Sequence, residues 1–223
     1  MNPSPETTRP FNPPPRLIDC RVNPPAYAAA SLTRGFPIDY ARLDAIEQQW
    51  GPARAELAVA MDAAGELLQS QHWRWRNKAA YYPPGWHCLV TIECEGQAQG
   101  MMAVETLLRP SILSEGGWVV YVDYVETAPW NYRIPGDRSR PAVRTPRFAG
   151  VGTILTAEAV RMSLGRTAAG RVGLHALAQA EEFYVNRCGM TRIGTGYGYE
   201  NLVYFEYPEG VAADWLTHVR LSA

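Results

Sequence analysis

Long apolar runs are missing from this chain: none approaches the ~20 consecutive apolar residues a membrane-spanning helix needs. A net charge is nearly missing as well. Lys and Arg total 21 against 22 Asp and Glu, leaving −1, which disfavours a broad nucleic-acid surface. Paired cysteines are absent. Cys20, Cys88, Cys94 and Cys188 form no C-x-x-C motif, and only His72 and His87 lie at all close to any of them. Neither a zinc site nor a disulfide framework is therefore expected. The opening Met-Asn-Pro-Ser-Pro-Glu lacks the basic-then-apolar layout of a signal peptide. These absences together predict a soluble, cytoplasmic protein with reduced thiols.

What is present is enough for a core. Apolar residues make up 47% and aromatics 11% of 223 residues, a length that suits one domain with additions. The start is punctuated by Pro3, Pro5, Pro10, Pro13, Pro14, Pro15, Pro24 and Pro25. Proline fixes φ and removes an N–H, so residues 1–26 read as a flexible, Pro-rich arm and residues 27–223 as the single domain. From Asp39 to about Ser70 the three- and four-residue spacing of Leu43, Ile46 and Trp50 predicts a helix, broken at Gly51-Pro52 and followed by a second one with Leu57, Met61, Leu67 and Leu68. Gln71-His-Trp-Arg-Trp-Arg-Asn-Lys78 alternates, with Trp73 and Trp75 packing inward while Arg74 and Arg76 face water. Anion binding by the same residues is the other reading. His87–Cys94 and Gln97–Leu107 read as a hairpin turned by Glu95-Gly96.

The chain is organised around 121–190. A strand, Tyr121-Val-Asp-Tyr-Val-Glu-Thr-Ala128, is closed by Pro129; with Trp118-Val-Val before it, the run is apolar on both faces and belongs in the centre of a sheet. Then come Arg147-Phe-Ala-Gly150-Val-Gly152-Thr153 at the start of an amphipathic helix with Val151, Leu155, Ala159 and Met162 on one face, a second strand at Arg171–Leu177, and Phe183-Tyr184-x-x-x-x-Gly189-Met190. Glycines at a helix start let a ligand approach unpaired N–H groups at the positive end of the dipole.

That order, strand, R-x-x-G-x-G-T, strand and F-Y-x-x-x-x-G-M, resembles the GNAT acetyltransferase superfamily. It is also similar to a bacterial group of that superfamily with no assigned acceptor, which shares Trp130-Asn131, Gly173-Leu-His175 and the Asn201-Leu-Val-Tyr-Phe-Glu206 ending. The resemblance is good over about 85–207 and loose before that. It implies an α/β fold: a mixed central sheet of about six or seven strands flanked by helices, with the Pro-rich extension and a cofactor core at about 118–190. It implies acetyl-CoA as co-substrate, no metal, and transfer of acetyl to a primary amine of a small molecule or protein in a ternary complex. In the superfamily's pattern, Val125, Thr127 and Ala128 would bind the pantetheine arm, and Arg147, Phe148, Ala149, Gly150, Val151, Gly152 and Thr153 the pyrophosphate. The second strand would splay away near Leu174–Leu177. Tyr184 would protonate the leaving thiolate. Candidate bases rank as Glu126, His175 and Asp123, with Asp123 and Glu126 on opposite faces unless a bulge intervenes. The gap from Pro129 to Arg147 is longer than the pattern and holds Arg133, Arg138, Arg140 and Arg144; it reads either as a phosphate contact or as a solvated loop. Cys188 reads as structural. Tyr197, Tyr199 and Tyr204 could line the acceptor cleft. Two other readings stay open: a non-catalytic acyl-CoA-binding module and, against the charge, a toxin-like aminoacyl-tRNA acetyltransferase. No membrane partner is expected, and a homodimer is left open.

Overall fold

A computed structural model describes residues 14–35, 38–81, 83–134, 144–195, 199 and 201–222. In chain order these form β1 (Arg16–Asp19), β2 (Ala26–Ala29), β3 (Ser31–Gly35), α1 (Tyr40–Ala63), α2 (Trp75–Tyr81), β4 (His87–Cys94), β5 (Gln97–Pro110) and β6 (Trp118–Thr127). Then follow β7 (Phe148–Ala149), α3 (Val151–Leu164), β8 (Val172–Ala176), β9 (Thr191–Thr195), β10 (Val203–Glu206) and α4 (Val211–Ser222). The main sheet is mixed and seven-stranded, in the order β3-β4-β5-β6-β8-β10-β9, with β6 in the centre and parallel to β8. A smaller sheet runs β2-β1-β7. No described helix is long and apolar enough to cross a membrane.

The contacts divide the chain into two compact units. The first comprises Met1–Gly85, Leu89–Met101 and Glu126–Val151. Here the arm predicted at the N-terminus is corrected from residue 16 onward: β1 is the middle strand of the small sheet, pairing Leu17 with Ala28 and Ile18 with Ala149. The prolines at 14–15 and 24–25 flank that strand instead of interrupting it, so its ladder loses no donor. The arm before residue 14 lies outside the described residues. Helix α1 opens with Asp39 accepting from the Arg42 amide at 3.1 Å. It buries Leu43, Ile46, Trp50, Arg54 and Leu57 in one stripe. The predicted break at Gly51-Pro52 does not occur. The carbonyl that Pro52 leaves without a helical donor belongs to exposed Gln48, where water can serve. The predicted second helix is instead the C-terminal half of α1, which ends at Ala63, and Leu68 joins Leu57 and Ile134 in a buried cluster from irregular chain. The 71–78 segment is a turn entering α2: Trp75 is buried, while Trp73 is half-buried beneath the Lys78 ammonium. The turn at Glu95-Gly96 has both φ values positive, +54° and +70°, as a tight hairpin requires.

The second unit comprises Trp86–Cys88, Met102–Val125 and Gly152–Ala223. Val119–Val122 of β6 and all of β10 are buried. The helix read as amphipathic is more deeply set than that: in α3, Ile154, Ala157, Glu158, Val160 and Ser163 are buried along with Val151, Leu155, Ala159 and Met162. The C-terminal helix α4 buries Ala212 and Leu216.

Candidate functional site

Parallel pairing between β6 and β8 runs Val120↔Val172, Tyr121↔Gly173, Val122↔Leu174, and among the described residues no pair follows. On its other edge β8 stays paired with β10 through His175↔Tyr204 and Ala176↔Val203. The strands thus part where the sequence placed the splay, leaving main-chain groups of Asp123–Val125 and of His175–Ala176 outside a shared ladder. Val125 and Thr127 end β6, and the buried Ala128 donates its N–H to Gln99 O at 2.8 Å. The Val120 amide, eight residues earlier, points to Arg171 O on the side of β8. A regular strand would send both amides the same way, so the two-residue alternation does not run unbroken from 120 to 128.

The glycine-led helix start is built in pieces with different jobs. Arg147 is engaged by Glu95 at 3.0 Å and Gln97 at 2.9 Å. Phe148 and Ala149 are held as β7, with the Phe148 amide donating to Asn131 Oδ1. Gly150 has φ +92° with open space where a Cβ would stand, and α3 begins at the next residue with first-turn amides that have no partner inside the helix. Gly152 serves packing: a Cβ there would lie 3.1 Å from Phe183 Cζ. Thr153 is half-buried in the first turn. Of the arginines in the 130–146 loop, Arg138 and Arg140 lie outside the described residues, while Arg144 pairs by backbone with Ile134.

Glu126, ranked first as a base, is 3% exposed and fully engaged. It takes Arg54 Nε and Nη2 at 3.1 and 3.2 Å and Trp75 Nε1 at 2.7 Å. Burial pushes its carboxyl up, against the pull of Arg54. Held by a bidentate guanidinium and an indole N–H, it reads as an anchor between α1, α2 and the end of β6.

His175, in contrast, belongs to a polar face of the second unit. Tyr121 Oη lies 2.8 Å from its Nδ1, and the Tyr199 ring stacks on it with centroids 3.9 Å apart. Tyr204 is 4.9 Å away, centroid to centroid. Arg109 lies over Tyr121 at 3.6 Å, donates to Tyr199 Oη, and is gripped by both oxygens of Glu105. Burial lowers the His175 imidazole, and the Arg109 charge adds to that effect. Burial, with the neighbouring Tyr199 adding, raises Tyr121. Burial likewise raises Tyr204, beside Glu206. Glu206 is fully buried and accepts from Tyr204 Oη, Ser111 Oγ and the amides of Ile112 and Leu113. Gly173 gives Tyr204 its room, since a Cβ there would fall 2.2 Å from the hydroxyl.

Asp123 bonds His87 Nε2 at 3.2 Å. With Glu105 these groups bring three potential metal-binding atoms within 4.8 Å of one another. Within the group His87 bonds Asp123, and Glu105 is held by Arg109. Tyr184, on the π-helical turn Phe183–Arg187, is buried edge-on to Phe183. Cys188 is fully buried, its thiol pushed up to about 12 by burial, which fits the structural reading. Tyr197 lies outside the described residues.

Sequence reasoning missed His87, Glu105, Arg109 and Tyr121. Tyr121 was hidden in an apolar run. Arg109 carried a usable signal, a charge on a strand otherwise apolar at Leu107-Leu108.

No family model matches the sequence, and no curated protein matches it. Among solved structures, an uncharacterized protein from Bacillus halodurans shares the fold: TM-score 0.55 at 8% identity, covering 94% of this chain and 97% of that one. At lower similarity stand an acyl-CoA N-acyltransferase from Pseudomonas aeruginosa (TM-score 0.43, 14% identity, 80% and 97% covered) and Arabidopsis thaliana Naa50 in complex with a bisubstrate analogue (0.43, 13%, 79% and 98%). The likeness to the Bacillus protein is one of fold, and nothing further rests on the other two.

Proposed function

We propose that this chain is a GNAT-type acyltransferase that moves acetyl from acetyl-CoA to a primary amine of a small molecule or protein by direct transfer. The observation that supports this reading most is the parallel pair β6–β8 parting after Val122↔Leu174, in the order strand, glycine-led helix, strand that the sequence motifs share with that superfamily. In this reading the pantetheine amides take up backbone groups of β6 from Val125 to Ala128. The pyrophosphate meets the first-turn amides of α3 after Gly150, where the dipole favours an anion. Arg147, already neutralised by Glu95, would contribute little charge.

The amine nitrogen attacks the thioester carbonyl, the C–S bond breaks, and one proton must leave nitrogen while the thiolate gains one. His175 is preferred over Glu126 as the acceptor of that proton, because Glu126 is locked to Arg54 and Trp75 while His175 is only half-buried and held neutral. Tyr121, hydrogen-bonded to Nδ1, can receive the amine proton while passing its own to the ring. Tyr184 is assigned the donor role toward sulfur.

Calorimetric titration with acetyl-CoA tests the first half: micromolar binding is expected, and no binding would sink the reading. Tyr184→Phe tests the second. kcat should fall by roughly 10²–10⁴-fold, the usual worth of a positioned acid, with acetyl-CoA Kd little changed. Binding without thiol release for any amine would favour a non-catalytic acyl-CoA-binding module.

A further inference from the structure

His175 owes its position to two rings, Tyr121 at its Nδ1 and Tyr199 stacked on its face. Arg109 touches both. Its guanidinium lies 3.6 Å from the Tyr121 centroid and 5.6 Å from that of Tyr199, whose hydroxyl it also bonds. Glu105 fixes the guanidinium through Nε at 2.7 Å and through Nη2. Among the described residues, the titratable and charged groups around the imidazole are Arg109 and Glu105 from β5, Tyr121 and Asp123 from β6, Tyr199 from the segment after β9, and Tyr204 with Glu206 behind it from β10. In this set Arg109 is the cation, and its charge is half-buried, where screening by water is incomplete.

We propose that Arg109, carried on Glu105, is a positioning residue for His175: it clamps the two rings that hold the imidazole and by its charge keeps that imidazole in the neutral, proton-accepting form. The inference rests on the acetyl-transfer reading only for the use made of that form. Asp123 acts in the opposite sense, so the state of the ring reflects its burial first, with the guanidinium adding to it and Asp123 opposing.

The sign of the effect separates this role from a merely structural one. Removing the positive charge raises the affinity of His175 for a proton; removing its acidic carrier lowers it. The test is an NMR titration of the full chain with isotope-labelled histidine. His175 is picked out from His72, His87 and His218 by the signal lost in His175→Gln. Arg109→Gln should move the His175 midpoint up by about one pH unit, Glu105→Gln should move it down, and Arg109→Lys should leave it near wild type. The acid limb of kcat/KM should follow the same order. A midpoint unmoved in Arg109→Gln, or both neutral variants shifting the same way, overturns the proposal. Should Arg109→Gln fail to fold, Arg109→Lys and Glu105→Gln decide: a downward shift in the second with none in the first supports it, and any other pattern does not. A protein that transfers no acetyl group but shows the opposed midpoints would refute the proposed reaction and leave this inference standing.

Discussion

Two arginines of this molecule are each gripped by a carboxylate and yet do opposite things. In the first unit Arg54, 2% exposed, is closed in by Glu126 and Glu47, and Trp75 donates to both acids. In the second, Arg109 keeps about a third of its side chain in solvent, and beyond Glu105 it leans on tyrosines next to an imidazole. The first network is buried around a bidentate ion pair; the second is partly exposed and sets tyrosine hydroxyls beside an imidazole and a guanidinium. A perturbed carboxylate in a fold is a poor guide to chemistry until its partners are counted.

The sharpest way to break this contrast is at Arg54. Arg54→Met strands Glu126 in the interior and should cost about 3–5 kcal/mol of stability in urea unfolding. The double variant Arg54→Met with Glu126→Leu should recover much of that loss. If the double variant is no more stable than the single, the pair is not what the first network is built on. The second network is expected to be softer. Gly173→Ala drives a methyl into Tyr204, frees it from Glu206 and should cost roughly 1–3 kcal/mol. An unchanged urea midpoint would mean that Tyr204 can leave without consequence. Smallest should be Gly152→Ala, where the ~1 kcal/mol gain in helix propensity is offset by pushing on the flexible edge of Phe183. A net change near zero is expected, and a loss beyond about 2 kcal/mol would show that the ring has nowhere to go. In activity, the acid limb of the pH profile should lie below the ordinary imidazole value near 6.5, because burial and Arg109 both lower His175. A limb above 6.5 would assign it to another group.

Much of the fold was legible because periodicity reports burial. The apolar run 118–125 became the central strand, Glu95-Gly96 the hairpin turn, and Gly150 the left-handed residue before α3. The misreadings have local causes. Pro52 reads as a breaker, yet a proline stops a helix only where the lost bond cannot be replaced. The eight early prolines read as an arm, while Ile18 and Asp19 between them pair with Ala149 and Phe148, far along the chain, which no window of sequence contains. For the site, motif order named Glu126, His175 and Tyr184 alike, and it could not tell them apart: an acid on a key strand looks like a base until Arg54, 72 residues earlier, is seen to hold it. Arg109 and His87 matter only through cross-strand neighbours, and spacing alone does not report those.

The parting of β6 and β8 has a consequence for binding entropy. Each strand is tied on its outer edge, β8 by β10 and β6 by β5, so the opening between them does not depend on a guest to hold it apart. An extended ligand with amides along its length would replace water at backbone groups already fixed in direction. The ordering cost of association would then fall on the ligand and hardly at all on the protein.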